Sequence, residues 1–273
     1  MKRILIPCNF SVHAIEAIKF ALELAVISGG EIFAITVLTS DDADSREKQE
    51  EIKARFDQLK QDLETGSIVL SHEVTTGRIT SAVLEYIRKE NIDLVVMGSH
   101  GSRGWNDVFM GSNIEKIVRT SPVPVIAVKR AASAKRIRNI VFPWDLRPGH
   151  THLVEEIKKL QALFGACLHL VCINTNEGSD HSEILGMLEA FAKTNKLENY
   201  TVNVWDEYDE KRGIIHFARD INADMIAMST HGNRDMQNLY ADSIAADVVN
   251  HANLLVWTCS TREKPETEQV TEW

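Results

Sequence analysis

The sequence predicts an α/β protein made twice over: two tandem, doubly wound, parallel five-stranded sheets. Three observations predict it. Continuous apolar runs of strand length recur along the chain, the pattern of strands buried on both faces. Amphipathic helical segments separate these runs, as helical crossovers separate parallel strands. The pattern also repeats. Ile4-Leu5-Ile6-Pro7 matches Ile140-Val141-Phe142-Pro143, a shift of 136 residues, and IDLVVMGSHG from Ile92 matches ADMIAMSTHG from Ala223, a shift of 131. A near-constant shift in a chain of 273 residues means two copies of one unit, with small deletions in the second. Each copy is long enough to be a domain with its own core.

In the first copy, residues 2–7 are a short apolar strand ending at Pro7. Residues 12–27 carry Val12, Ile15, Ile18, Leu22 and Val26 at helical spacing, and Gly29-Gly30 stops that helix. EIFAITVL over 31–38 is β-branched and apolar, so it is a second strand. The charged segment 45–64 keeps Ile52, Phe56, Leu59 and Leu63 at three- and four-residue steps and is helical. A strand over 68–74, a helix over 79–89, a strand over 93–97, a helix over 112–119 and a last strand over 125–128 complete the unit. Pro122 and Pro124 flank that last strand and mark it as an edge. The second copy places strands near 138–143, 167–173, 200–205, 224–228 and 254–258. Right-handed crossovers restrict such an order to a doubly wound sheet. Residues 1–130 and 137–259 are the expected domains, the polar stretch Ala131–Arg136 joins them, and 260–273 is read as a disordered tail.

A net charge of −9 argues against a nucleic-acid or anionic-membrane surface, since either needs a basic field. No stretch approaches the roughly 18 apolar residues of a membrane span, and the apolar part of the first residues is too short for a signal peptide. The expectation is a cytoplasmic protein. Cys8, Cys167, Cys172 and Cys259 form no metal-binding or paired pattern. Cys167 and Cys172, five apart in one strand, should face opposite sides of the sheet.

The chemistry concentrates after the fourth strand, in Met97-Gly98-Ser99-His100-Gly101-Ser102-Arg103-Gly104 followed by Gly111-Ser112-Asn113. The spacing is G-x2-G-x9-G-S between a buried strand and a helix. Glycine lets backbone approach a phosphate closely, and the free amides and dipole of a helix start favour an anion. Arg103 adds a charged donor for phosphate oxygens. The alternative is that the glycines only turn the chain from strand to helix. Neither a Rossmann fingerprint nor a Walker loop is present. In a doubly wound sheet the ligand sits beyond the carboxyl ends of the strands at the switch point. Pro7–Asn9 and Gly98–Gly101 would then face one crevice, with Val37 at its side.

The G-x2-G-x9-G-S spacing, the opening ILIPCNFS, the segment SNIEKIVRTSPVPVIAV and the two-copy layout together resemble the universal stress proteins, over residues 1–259. The resemblance implies an adenine nucleotide alpha hydrolase-like fold, with strand order 3-2-1-4-5 in each copy. It implies binding of ATP, or of ADP or AMP. Gly98, Gly101, Gly111, Ser112 and Asn113 would meet phosphates and ribose; Pro7, Asn9 and Val37 would line the base and ribose side; Met97, His100 and Arg103 complete the expected nucleotide-binding set. It also implies pairing of the two last strands, Val125–Val128 with Leu254–Trp257, and homodimerisation into a four-domain assembly.

The chain departs from the family pattern at Asn9, where Asp is usual. An amide can hydrogen-bond a ribose hydroxyl but brings no charge to a magnesium ion. Hydrolysis of ATP is therefore expected to be slow at most, with no catalytic residue assigned. The second copy departs further: Ser229 stands for the first glycine, and Asp242-Ser243 stands at the helix start, where a carboxylate would repel phosphate. The second copy is expected not to bind ATP in the family manner. His150 and His152 near Asp145 could form a metal site, but polar residues at the exposed start of a helix are the preferred reading, and His100 and His231 read as loop-orienting side chains. Three functions fit: a nucleotide-binding regulator of an unknown protein partner, an interaction scaffold using the tandem as a built-in dimer, and an enzyme acting on an adenylated substrate.

Overall fold

A computed structural model describes residues 1–38, 46–63, 65–99, 112–145, 151–176, 179–230 and 239–261; at Ser112 and residues 239–243 only the backbone is described. The strands are β1 (Arg3–Pro7), β2 (Glu31–Leu38), β3 (Leu70–Thr76), β4 (Leu94–Gly98), β5 (Val125–Val128), β6 (Asn139–Pro143), β7 (Cys167–Asn174), β8 (Tyr200–Asp206), β9 (Met225–Thr230) and β10 (Leu255–Ser260). The helices are α1 (Val12–Ser28), α2 (Arg46–Asp62), α3 (Ile79–Lys89), α4 (Ser112–Thr120), α5 (Thr151–Phe164), α6 (His181–Thr194), α7 (Glu210–Asp220) and α8 (Leu239–His251).

Local chemistry sets several of these limits. Ser11 caps α1 by accepting from the Ala14 amide at 3.2 Å, and Gly29 ends it in the left-handed region at φ 63°. Asp180 and Asp209 cap α6 and α7 in the same way, accepting from Ser182 and Arg212 amides. Among the described residues no helix is long and apolar enough to cross a membrane. All four cysteines are free, and burial pushes the Cys8 and Cys259 thiols up from their ordinary value.

The strand order within each copy is the expected 3-2-1-4-5, but the two sheets are one. The order runs β3-β2-β1-β4-β5-β10-β9-β6-β7-β8. Within each copy every pairing is parallel; at the seam β5 and β10 pair antiparallel, with Val125, Ile126 and Ala127 opposite Thr258, Trp257 and Val256. β5 is therefore not a free edge, as its flanking prolines suggested. Pro122 and Pro124 precede the strand, so the missing amides remove no ladder bond. The pairing instead covers two edges that would otherwise be open. β3 and β8 form the outer edges.

The expectation of a separate core in each copy is corrected at the seam. One apolar layer packs under α1, α2, α5 and α6 and runs from Ile4 and Phe20 through Ile126 and Trp257 to Ile157. The other packs under α3, α4, α7 and α8 and runs from Leu5 and Val83 through Val125 and Val256 to Phe217. A continuous sheet with helices on both faces leaves no polar boundary where the layers could split. The join between copies is likewise docked. Ala134 and Ile137 are each 1% exposed, residues Ala134–Arg136 form a 3-10 turn, and the Ser133 hydroxyl donates to Glu23 at 2.7 Å. β10 extends to Ser260, into the stretch read as tail; residues 262–273 lie outside the described residues.

Trp257 is fully buried at the seam, and its indole N–H has no partner among the described residues. Trp257→Ala should lower the unfolding free energy by about 3–5 kcal/mol in urea titrations. Trp257→Phe, which removes the unpaired donor, should cost much less. Both variants should still unfold in one transition, because the core layers are shared.

Candidate functional site

The expected first-copy crevice falls at the switch point, where β1 and β4 lie side by side and the strand order reverses. Ile4 is opposite Leu94 and Leu5 opposite Val95, so the two strands end together. Alternation along β1 puts Pro7 on the Leu5 face, and Val37 and Met97 pack into that same apolar layer, under α3 and α4. Pro7 and Met97 are buried and Val37 is partly exposed. The structure thus gathers two of the expected base-lining residues, Pro7 and Val37, with Met97 at one end of one sheet face. The start of α4 at Ser112 belongs to the same face, since Ile114 and Ile117 of that helix pack into the layer. Asn113 is exposed. His100, Gly101, Arg103 and Gly111 lie outside the described residues.

The loop after β1 is held from behind. The Cys8 amide continues the ladder to the Ile35 carbonyl at 2.8 Å. Thr36 donates its hydroxyl proton to the Cys8 carbonyl at 2.9 Å, and the His72 Nε2 lies 2.9 Å from the same Thr36 oxygen. The hydroxyl proton is committed, so the neutral ring must donate Nε2–H. His72 stacks on Phe56 at 4.0 Å, and burial pulls it down to about 4 from 6.5, with Asp57 opposing and Lys53 assisting. Phe10 takes a left-handed conformation at φ 58°, uncommon for a bulky residue, and its ring meets Phe56, His72 and the Arg55 guanidinium. These contacts turn the loop so that Asn9 is exposed. The Asn9 side-chain oxygen accepts the Ser11 amide at 3.1 Å, which leaves the amide NH2 as the outward donor.

Gly98 has a structural reason of its own. A Cβ there would sit 2.2 Å from the His13 carbonyl oxygen and 2.7 Å from the Ala14 nitrogen, so the first turn of α1 crosses directly over the end of β4. In the second copy Ser229 carries a Cβ at the matching strand position. Next to Gly98, Ser99 donates its amide to the Val128 carbonyl, is 0% exposed, and has a hydroxyl with no partner among the described residues. Ser99 was absent from the sequence-based set because it falls between the patterned glycines; its orphaned hydroxyl emerges only from packing.

The second copy differs in more than its glycines. Asp242 is not at a helix start: α8 begins at Leu239, because Leu-Tyr-Ala continue the helix upstream. Ser243, the counterpart of Ser112, is therefore the fifth helical residue, where the backbone amide is normally committed within the helix. Trp144 takes the position of Cys8, with its amide on Val171 and its ring stacked on Phe191 at 4.1 Å. Among the described residues no group of three or more His, Cys, Asp or Glu could hold a metal ion. His150 and His231 lie outside those residues.

Two measurements test this geometry. Gly98→Ala should lower stability by about 1–3 kcal/mol through overpacking against α1. Gly186→Ala, in the exposed middle of α6 with nothing within 4 Å of its Cβ, should raise it by about 0.5–1 kcal/mol. The second concerns pH. The folded-state value of His72, about 4, lies below its ordinary 6.5, so the unfolded chain holds the extra proton between them. Stability should then fall, on the order of 2–3 kcal/mol, as pH drops from about 6.5 to 4. His72→Gln should flatten that part of the profile of urea midpoint against pH.

The comparisons with known proteins bear on the family and the fold. The model of the universal stress protein family matches residues 1–129 and again 136–259. A universal stress protein of Methanocaldococcus jannaschii is 27% identical over 140 residues, 47% of this chain and 82% of that protein. A second from the same organism is 23% identical over 157 residues, 48% of this chain and 97% of that protein. The crystal structure of a universal stress protein from Archaeoglobus fulgidus superimposes with a TM-score of 0.78 at 18% identity, covering 95% of this chain and 98% of that one, which shows a common fold. Matched twice by the family model, this chain belongs to the universal stress protein family as a tandem of two copies.

Proposed function

We propose that the first copy binds one adenine nucleotide, ATP or its di- or monophosphate, and that occupancy regulates the affinity of the tandem for a protein partner. The observation that supports this is the arrangement of side chains at the switch point. Pro7, Val37 and Met97 offer an apolar seat on the sheet face that α4 covers, and the start of α4 stands beyond it as an anion end. The exposed Asn9 amide is a donor for a ribose hydroxyl, and the orphaned Ser99 hydroxyl a donor for a ligand oxygen. Gly101, Arg103 and Gly111 would close on the phosphates between them. Membership of the family adds weight, since its ATP-binding members use this spacing. Magnesium, carried in with the phosphates, would find no charge at Asn9, so turnover would be slow. The cellular site of action we take to be the cytoplasm.

The second copy would stay empty of ATP: Ser229 and Asp242 replace glycines, and α8 runs through the position of the helix start. The scaffold reading rests on a different observation, the paired seam strands, and the two are compatible: nucleotide would bias a tandem already held as a pseudo-dimer. A homodimer of four domains would need another surface, since β5 and β10 are used on each other.

Calorimetry with ATP should give one site per chain. Gly111→Asp, which copies the second half, should abolish binding and leave the urea midpoint of the apo protein within about 0.5 kcal/mol of the parent. Two sites per chain, or binding that survives Gly111→Asp, would sink the proposal.

A further inference from the structure

Between the two copies, at the C-terminal end of β5, lies a cavity of about 420 Å³ lined by Lys129, Arg130, Arg136, Asp224 and Leu254 among others. That volume lies within the range of small-molecule sites, roughly 300–1,000 Å³. Its charge is unbalanced. Lys129 is 6% exposed, and its Nζ donates to the carbonyl of Asn250, in the last turn of α8, at 2.5 Å. An ammonium has three protons to give, and this carbonyl takes one. Burial, with the neighbouring Arg130 charge adding to it, brings Lys129 down to about 7. Arg130 and Arg136 are exposed, and their guanidinium groups make no ion pair or hydrogen bond among the described residues. Asp224, the carboxylate in the wall, is committed elsewhere: one of its oxygens accepts the Arg138 and Asn139 amides at 2.8 and 2.9 Å. An acidic protein has thus collected three basic side chains around one hollow, with Asp224 the one carboxylate among its lining residues.

We propose that this cavity is a second anion site, built for a phosphate-class oxyanion, either free phosphate or the phosphoryl group of a small metabolite. The anion takes the remaining Lys129 protons and the guanidinium forks of Arg130 and Arg136. Arg130 and Arg136 belong to the join between copies, and Lys129 already reaches α8 of the second copy. A bound anion therefore ties the join to the second copy and stabilises the seam. The site shares no residue with the nucleotide crevice.

The test titrates inorganic phosphate and ribose 5-phosphate into Gly111→Asp protein, so that the first-copy cradle does not contribute. Calorimetry and the ¹³Cε resonance of labelled Lys129 are read together. One saturable site that moves the Lys129 resonance is expected, and Arg130→Gln and Arg136→Gln should each weaken it about tenfold. Both arginines are exposed, so these variants keep the fold; their circular dichroism and urea midpoints check it. Phosphate binding as tightly as the sugar phosphate identifies the free ion as the ligand, and tighter sugar-phosphate binding identifies a phosphorylated metabolite. No binding, binding that leaves Lys129 unmoved, or binding indifferent to both arginine variants overturns the proposal.

Discussion

The antiparallel ladder between β5 and β10 carries the architecture. Each copy by itself would end in a short apolar strand with an open edge, four residues long in the first copy. Joined, the two strands close that edge and make a single sheet of ten, and the helices on either side then cover one continuous apolar layer instead of two. Trp257 and Ile126 face each other in this ladder and fill the middle of the layer under α1 and α5. The docked join follows from the same constraint, since the chain must cross from the end of β5 to the start of β6 along the helix face. Ala134 and Ile137 fasten it there.

The seam also decides what the two copies can do differently. A symmetric pair of identical chains would carry the same residues in both crevices. A tandem chain escapes that constraint, because each half has its own sequence. In the first copy Gly98 lets α1 lie across the end of β4, and the Cys8–Asn9 loop is braced by Thr36, His72 and Phe10. In the second, Ser229, Trp144 and an extended α8 occupy the matching ground. The fold is conserved through this divergence because the buried strands and their register do the holding, while the ends of the strands are free to vary.

Much of this was legible in the sequence. The alternation of buried strands and amphipathic helices gave the element order, since Ile4–Ile6, Ile32–Ile35 and Leu94–Val96 are apolar without interruption and strands buried on both faces require that. The glycine spacing pointed to one loop among many. Less legible was the reason for each residue. Gly98 reads as a phosphate glycine, yet its lack of a Cβ is already demanded by the His13 backbone. Ser99 carries no pattern, and its hydroxyl is notable only because packing leaves it without a partner. The brace from His72 through Thr36 to Cys8 joins residues far apart in the chain, which no local period encodes.

By itself, then, the sequence determined the repeat, the class of fold, the order within each copy and the loop where an anion could sit, because all of these are written in local periodicity and spacing. The tertiary structure decided that two sheets become one, that their cores merge, that α8 starts a turn early, and that Lys129, Arg130 and Arg136 gather around a hollow whose one lining carboxylate is Asp224. Those outcomes depend on which distant surfaces meet, and on the free energy of covering an open edge and burying what lies beneath it, neither of which a single stretch of residues contains.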